Sequence, residues 1–266
     1  MASPVWKGFI SFGLVSFPVR LSAAARADPV RFHMLHRKDL SRIKEVFYCA
    51  EEDKPVERSE IVKGFESAKG EYVTVDDEEL KKIAPPTATS MDILQTVAQG
   101  AVDPIFFETS YYVAPDEQAG KAYSLFHAAL LATGQDAIAK LAMHNREHIV
   151  LIRPDKNGLV LHTLYYPNEL HRANRVEASA AKYTSKELEL AKSLMAKLKA
   201  PFKPDQFKDA YREDVEHLIA AKRKGRPMAA VAQPRRAKVV DLMDALKRSL
   251  ESPRAGRKAA KRSRAA

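Results

Sequence analysis

Three groups of residues in this chain have types and spacing that could do chemistry: a His/His/Cys set, a Glu-x-Lys triplet beside other carboxylates, and clustered cations. His33 and His36 are spaced as some metal ligands are, and Cys49 lies further along the same stretch. A structural zinc takes four donors at suitable spacing, and this neighbourhood offers three. The two histidines are therefore read as strand or bore residues and Cys49 as a small buried or idle thiol, with no metal expected. Glu79-Leu80-Lys81 has the form used by one group of metal-dependent nucleases, but Glu52-Asp53-Lys54 repeats it. About two such triplets arise by composition alone, so the reading is a solvated surface. The run Asp76-Asp77-Glu78-Glu79 is read as a helix start, where carboxylates complement the helix dipole. The sequence has no Gly-x-x-x-x-Gly-Lys phosphate loop, no Gly-x-Ser-x-Gly elbow and no His-Glu-x-x-His helix. These motifs mark common enzyme classes, and the expectation is a non-enzyme without a cofactor.

The cations carry more information. The net charge of +10 is unevenly spread: residues 1–44 are strongly basic, residues 45–221 are acidic, and residues 222–266 are the most basic stretch. A basic tail attracts polyanions, of which nucleic acid is the commonest; the alternative is a solubilising tail. A single cysteine cannot form an internal disulfide, which agrees with a reducing cytoplasm. No apolar run is long enough to span a bilayer, and no secretory leader pattern opens the chain, so neither a membrane nor secretion is expected.

The elements that must position these groups begin with strands. Residues 6–21 alternate apolar and polar with a phase slip beside Gly13, read as a β-bulge that bends one long strand, with Pro18 at an edge or bulge. Further strands are expected at 30–35, 43–49, 60–66, 71–75, 91–98 and 104–113. A hairpin is expected over 147–153 and 159–166, because Asn157-Gly158 suits a positive-φ turn. Many short strands separated by polar turns imply a barrel or sandwich. Two short helices interrupt them, one opened by the Asp76/Glu79 capping pattern and one over about 119–133. From residue 184 the period becomes helical. Thr184 and Glu187 form a capping box ahead of Leu188, Ala191, Leu194, Met195 and Leu198, and a second helix carries Phe207, Tyr211, Val215, Leu218 and Ile219 on one stripe. A Pro-, Ala- and Arg-rich linker follows. The tail helix 239–250 presents Val239, Leu242, Met243, Leu246 and Leu250 at helical spacing. So short a helix needs a partner surface, either this protein's own core or another protein.

Several segments together, in order, resemble bacterial Ku. They are Trp6-Lys7-Gly8 through Phe17-Pro18-Val19, Ser41-Arg42-Ile43, Glu60-Ile61-Val62-Lys63-Gly64-Phe65-Glu66, Ser110-Tyr111-Tyr112-Val113-Ala114-Pro115, Ala122-Tyr123, and Asn145-Arg146-Glu147-His148 leading to Leu151-Ile152-Arg153-Pro154. Val239-Val240-Asp241-Leu242-Met243-Asp244-Ala245-Leu246 resembles the family's short C-terminal motif. Many bacterial members carry Cys-x-x-Cys before the Ile-Val-Lys-Gly segment; this chain has only Cys49 there, which again argues against a metal.

The resemblance implies an α+β fold dominated by a β-barrel core (1–183), with an inserted DNA-encircling arm at about 36–63. Helices at 184–225 would interlock two protomers, ahead of a basic tail at 226–266. It also implies a homodimeric ring that binds double-stranded DNA ends without sequence specificity and recruits a multifunctional ATP-dependent DNA ligase. The protein would then act in the cytoplasm at the nucleoid. Arg20, Arg31, Arg37, Lys38, Arg42 and Lys44 are the first choices for the bore, and Arg58, Lys63, Arg146 and Arg153 the second. Ligase recruitment falls to Val239, Leu242, Met243, Leu246 and Leu250. A DNA-processing nuclease using Glu79 and an architectural protein that coats DNA internally remain as alternatives. Removing residues 251–266 takes away six cations and one anion. Affinity for duplex DNA is expected to fall and its salt dependence to flatten, measured by filter binding across a salt series.

Overall fold

The apolar alternation of the first segment folds into two strands. In the computed structural model, which describes residues 3–83, 85, 87, 89–143, 146–171, 183–225 and 242–251, β1 (Trp6–Phe12) and β2 (Val15–Ala23) pair antiparallel from Phe12↔Val15 to Trp6↔Leu21. Gly13 sits at φ +59 in the two-residue turn between them. The phase slip is thus a hairpin reversal, and the expected bulge is corrected. Antiparallel pairing matches even positions of β1 to odd positions of β2, so Ile10 and Phe17 enter the same core. Both a bulge and a tight turn produce the slip, and only the pairing partner distinguishes them.

The remaining barrel strands are β7 (Ser90–Ala98), β8 (Phe107–Pro115), β9 (Gln135–Met143), β10 (Arg146–Asp155) and β11 (Gly158–Leu164). The closed order is β1-β2-β8-β11-β10-β9-β7, with β7 returning to β1 in parallel. Register shifts between Ile93 and Gln95 and between His162 and Leu164 interrupt the ladders, as bulges do where a sheet curves. The β10–β11 hairpin forms as expected, but its turn is one residue earlier than read: Lys156 and Asn157 make it, neither at positive φ, and Gly158 already pairs with Asp155. Strand β9 was not expected. Gln-Asp-Ala-Ile-Ala-Lys-Leu-Ala-Met is rich in helix formers, yet it pairs with β7 and β10 and is covered on both faces. Burial between two strands overrides the intrinsic preference.

Inside the barrel, Ile10, Phe17, Val19, Leu21, Met91, Leu141, Val150, Ile152, Leu159 and Leu161 are essentially inaccessible. The opposite face of β9–β11 forms a smaller cluster, in which Ile138, Leu151 and Leu164 pack with Val97, Phe106 and Phe107. α2 (Gly120–Thr133) inserts Phe126 and Leu130 into the main core, with the Phe126 ring stacked 5.0 Å from Phe12. It ends at Gly134, whose φ of +64 suits a left-handed cap. The Tyr123 hydroxyl donates to the Val113 carbonyl and accepts the Leu159 N–H, both at 2.8 Å, which pins α2 to β8 and β11.

Residues 24–89 are an insertion between β2 and β7. Within it lie β3 (Tyr48–Cys49) with β4 (Lys54–Pro55), β5 (Lys63–Ala68) with β6 (Glu71–Val75), and α1 (Asp77–Lys82), none of them joined to the barrel sheet. Two expected strands are corrected here. Residues 30–35 contribute only a single bridge, Leu35↔Arg42, and of 43–49 only the last two residues are strand. Their apolar side chains are exposed, so no core enforces an extended ladder. The capping box at Asp76 and Glu79 forms as read.

The chain divides into two compact units, residues 1–172 and 173–266. The second holds α3 (Ser185–Leu198), capped by Thr184 and Glu187, α4 (Ala210–Arg223), capped by Asp209, and α5 (Leu242–Glu251). Helix α5 occupies most of the expected 239–250; Val239 lies outside the described residues, as do 226–241 and the tail beyond 251. Among the described residues, no helix is long and apolar enough to cross a membrane. Tyr123→Phe is expected to lower unfolding free energy by about 1–3 kcal/mol, measured by urea denaturation, because it orphans a part-buried Leu159 N–H and a Val113 carbonyl.

Candidate nucleic-acid interface

The cations of the insertion are organised by one small loop. The Ile43 N–H bonds the Met34 carbonyl at 3.1 Å and the His36 N–H bonds the Ser41 carbonyl at 2.8 Å, folding residues 34–43 back on themselves. Leu40 takes φ +59 at the bend. Asp39 holds that bend: its carboxylate accepts the Ser41 N–H at 2.9 Å and lies 3.2 Å from His36 Nδ1. The Ser41 backbone bond is the main reason its pKa lies below the usual carboxylate value. Arg37 and Lys38 occupy the tip. Among the described residues they have no carboxylate partner, and neither do Arg31 and Lys44; all four side chains are exposed. Arg42, on the returning limb, donates to His33 Nε2 at 3.2 Å.

The histidines once considered as metal ligands are thus engaged within the loop, His33 with Arg42 and His36 with Asp39. Cys49 lies in the β3–β4 hairpin, whose turn is held by the Tyr48 hydroxyl donating to Asp53. Glu79, the carboxylate on which a nuclease reading rests, accepts the Asp76 N–H at 2.9 Å as a helix cap. The same loop region exposes large apolar side chains, including Phe32, Met34, Leu40, Val46 and Phe47.

The other sequence-selected cations stand in different company. Arg20, on β2, lies 3.8 Å from Asp116. Arg58 sits exposed in a 3-10 turn closed by Glu57 and Glu60. Lys63, at the start of β5, pairs with Asp77, whose carboxyl it holds below its ordinary pKa through a hydrogen bond and its charge. Arg146 pairs with Glu169 and lies 5.8 Å over the Tyr166 ring. Glu169 is pulled below its usual pKa first by that bond and then by the Tyr166 N–H. Arg153 lies 3.6 Å from Asp136, which is 2% exposed. Burial pushes the Asp136 carboxyl up, and Arg153 only partly opposes it. Burial, then Arg153, pushes His162 down; its Nδ1 lies 2.8 Å from Ser110 Oγ.

Among the described residues, Arg31, Arg37, Lys38 and Lys44 of the insertion have no carboxylate partner, whereas Lys63 of the same insertion and Arg20, Arg146 and Arg153 of the barrel do. The loop-holding role of Asp39 was missed, although Asp-x-Ser after two cations is an Asx-turn pattern. The partners of Arg146 and Arg153 had no local signal, since Glu169 and Asp136 are distant in sequence.

The chain is a closed barrel with a long, exposed, cation-bearing insertion between two of its strands. The family model for the Ku70/Ku80 beta-barrel domain matches residues 11–190. Similar curated proteins include the non-homologous end joining protein Ku of Solibacter usitatus, 68% identical over 97% of this chain and 97% of that protein. The protein of the same name from Koribacter versatilis is 47% identical over 94% and 86%, and that of Archaeoglobus fulgidus 38% identical over 93% and 98%. The chain belongs to the Ku family.

Because burial raises the Asp136 pKa above its unfolded value, the folded state retains a proton that the unfolded state has released between those two values. Stability therefore declines as pH rises through that window and stays lower above it. Asp136→Asn is expected to remove this decline, read as a smaller loss of the urea midpoint between about pH 4 and about pH 7.

Proposed function

We propose that this protein acts in non-homologous end joining as a non-catalytic homodimer whose two arms close around the end of a DNA duplex. The observation that carries the reading is the arm loop, where Arg37 and Lys38 stand at the tip without carboxylate partners. Duplex DNA presents one charge per about 1.7 Å of axis, so cations that meet phosphates hold any sequence equally. The exposed apolar side chains of the same arm give a second copy a surface to cover. Arg31, Arg42 and Lys44 would extend the cationic lining, with Arg20, Arg58, Lys63, Arg146 and Arg153 in lesser roles. The helices at 184–225 would interlock the protomers. The tail helix, through Leu242, Met243, Leu246, Leu250 and Val239, would engage an ATP-dependent DNA ligase. In this reading the protein works at the nucleoid in the cytoplasm.

Threading through a closed ring needs a free end. Linear duplex is expected to be retained by the protein, and covalently closed circular duplex of equal length to be released, in a gel-shift competition; equal retention of both would overturn the reading. The doubly substituted Arg37→Glu, Lys38→Glu protein is expected to bind linear duplex at least about 10-fold more weakly, with the slope of log affinity against log salt reduced by about 4, because each of the two arms loses two cations. Arg146→Glu is expected to cost less, because Glu169 already neutralises that side chain.

A further inference from the structure

The shortest α-helix described in the second unit, α5, carries an apolar stripe that needs a cover. A ten-residue helix is marginal by itself in water. In the structure it packs on α3. On α3 the half-buried apolar positions are Leu190, Ala191 and Leu194, which fall on one face, while Met195 and Leu198 stay exposed. On α5, Met243, Leu246 and Leu250 are half-buried and Lys247 and Ser249 exposed. The Lys197 ammonium donates to the Leu250 carbonyl in the last turn of α5. A cation there satisfies a terminal carbonyl and complements the negative end of the helix dipole. The contact thus has both an apolar seam and a polar lock.

We propose that the Leu190/Ala191/Leu194 face of α3 is an internal dock for α5, and that capture of α5 by a partner protein requires its release from that dock. A helix this short offers a single apolar stripe, and Met243, Leu246 and Leu250 cannot face α3 and a partner's groove together. The docked form holds the stripe out of solvent until a partner competes for it. Only the identity of that partner rests on the ligase reading above; the dock does not.

The test uses the full chain and a fluorescent synthetic peptide of residues 239–251, followed by anisotropy. The wild-type dock is filled by its own helix, so the peptide binds weakly. Leu246→Asp expels that helix, and the peptide is expected to bind this variant at least about 10-fold more tightly. Adding Leu194→Asp to Leu246→Asp is expected to abolish peptide binding. Adding Lys197→Ala instead, which leaves the apolar seam intact, is expected to weaken it about 3-fold. Equal peptide affinity for wild type and Leu246→Asp would overturn the proposal, as would binding to Leu246→Asp that Lys197→Ala leaves unchanged. No ligase is present in this assay, so its outcome is separate from the ligase reading, which fails if purified ligase binds Leu246→Asp as well as wild type.

Discussion

The parallel pairing of β1 with β7 is the constraint on which the rest of the molecule depends. It joins Phe9, Ile10 and Ser11 to Ser90, Met91 and Asp92 and turns an open sheet into a closed one. Closure gives every barrel strand a neighbour on each side, so none stands as a free edge strand. The seam is close enough that Gly8 is required there: a Cβ at this position would stand 2.4 Å from the Thr89 carbonyl oxygen and from the Trp6 ring. The same pairing also directs the insertion. The chain leaves β2 opposite Trp6 and re-enters β7 opposite Phe9, so residues 24–89 depart and return at the end of the barrel where β1 begins. A rigid base thus carries an arm that needs no core of its own.

Charge follows the same division only in part, since Lys54 and Lys63 of the insertion pair with Glu52 and Asp77. On the barrel, Arg146 and Arg153 have carboxylates beside them, and Asp136 is held so deeply that burial resists its ionisation. Arg146 and Arg153 are themselves 41% and 39% exposed, so each pairing contributes only modestly. The arm is surrounded by water, where isolated cations cost little. Among the described residues, Arg31, Arg37, Lys38 and Lys44 accordingly stand in the arm with no carboxylate partner. The loop is nonetheless ordered at its bend, because Asp39 spends its carboxylate on the Ser41 backbone and His36 rather than on Arg37 or Lys38.

The second unit works by a different economy. Its helices have good caps and modest burial, with Thr184 and Asp209 each accepting a backbone N–H at a helix start. Large side chains such as Phe202, Phe207 and Tyr211 stay exposed on it. Local signals specify such helices well and leave their faces open to contact, which suits a unit that meets other surfaces.

Local chemistry determined much of this protein from the sequence alone. The β10–β11 hairpin, strand β6, the capping boxes at Asp76 and Thr184 and the span of α2 were all legible, because turn residues, caps and apolar periods act within a few residues; the same signals left a barrel and a sandwich both open. The ordered set of motifs resembling Ku identified the family as well. Tertiary structure alone decided that the slip at Gly13 is a reversal, that the helix-prone β9 is a strand buried on both faces, and that residues 30–35 stay out of any sheet. It also decided which cations are neutralised. Glu169 and Asp136 reach Arg146 and Arg153 only through barrel pairing. Each of these outcomes turns on what lies across a strand or beneath a side chain, and that neighbour is set by closure of the sheet rather than by adjacency along the chain.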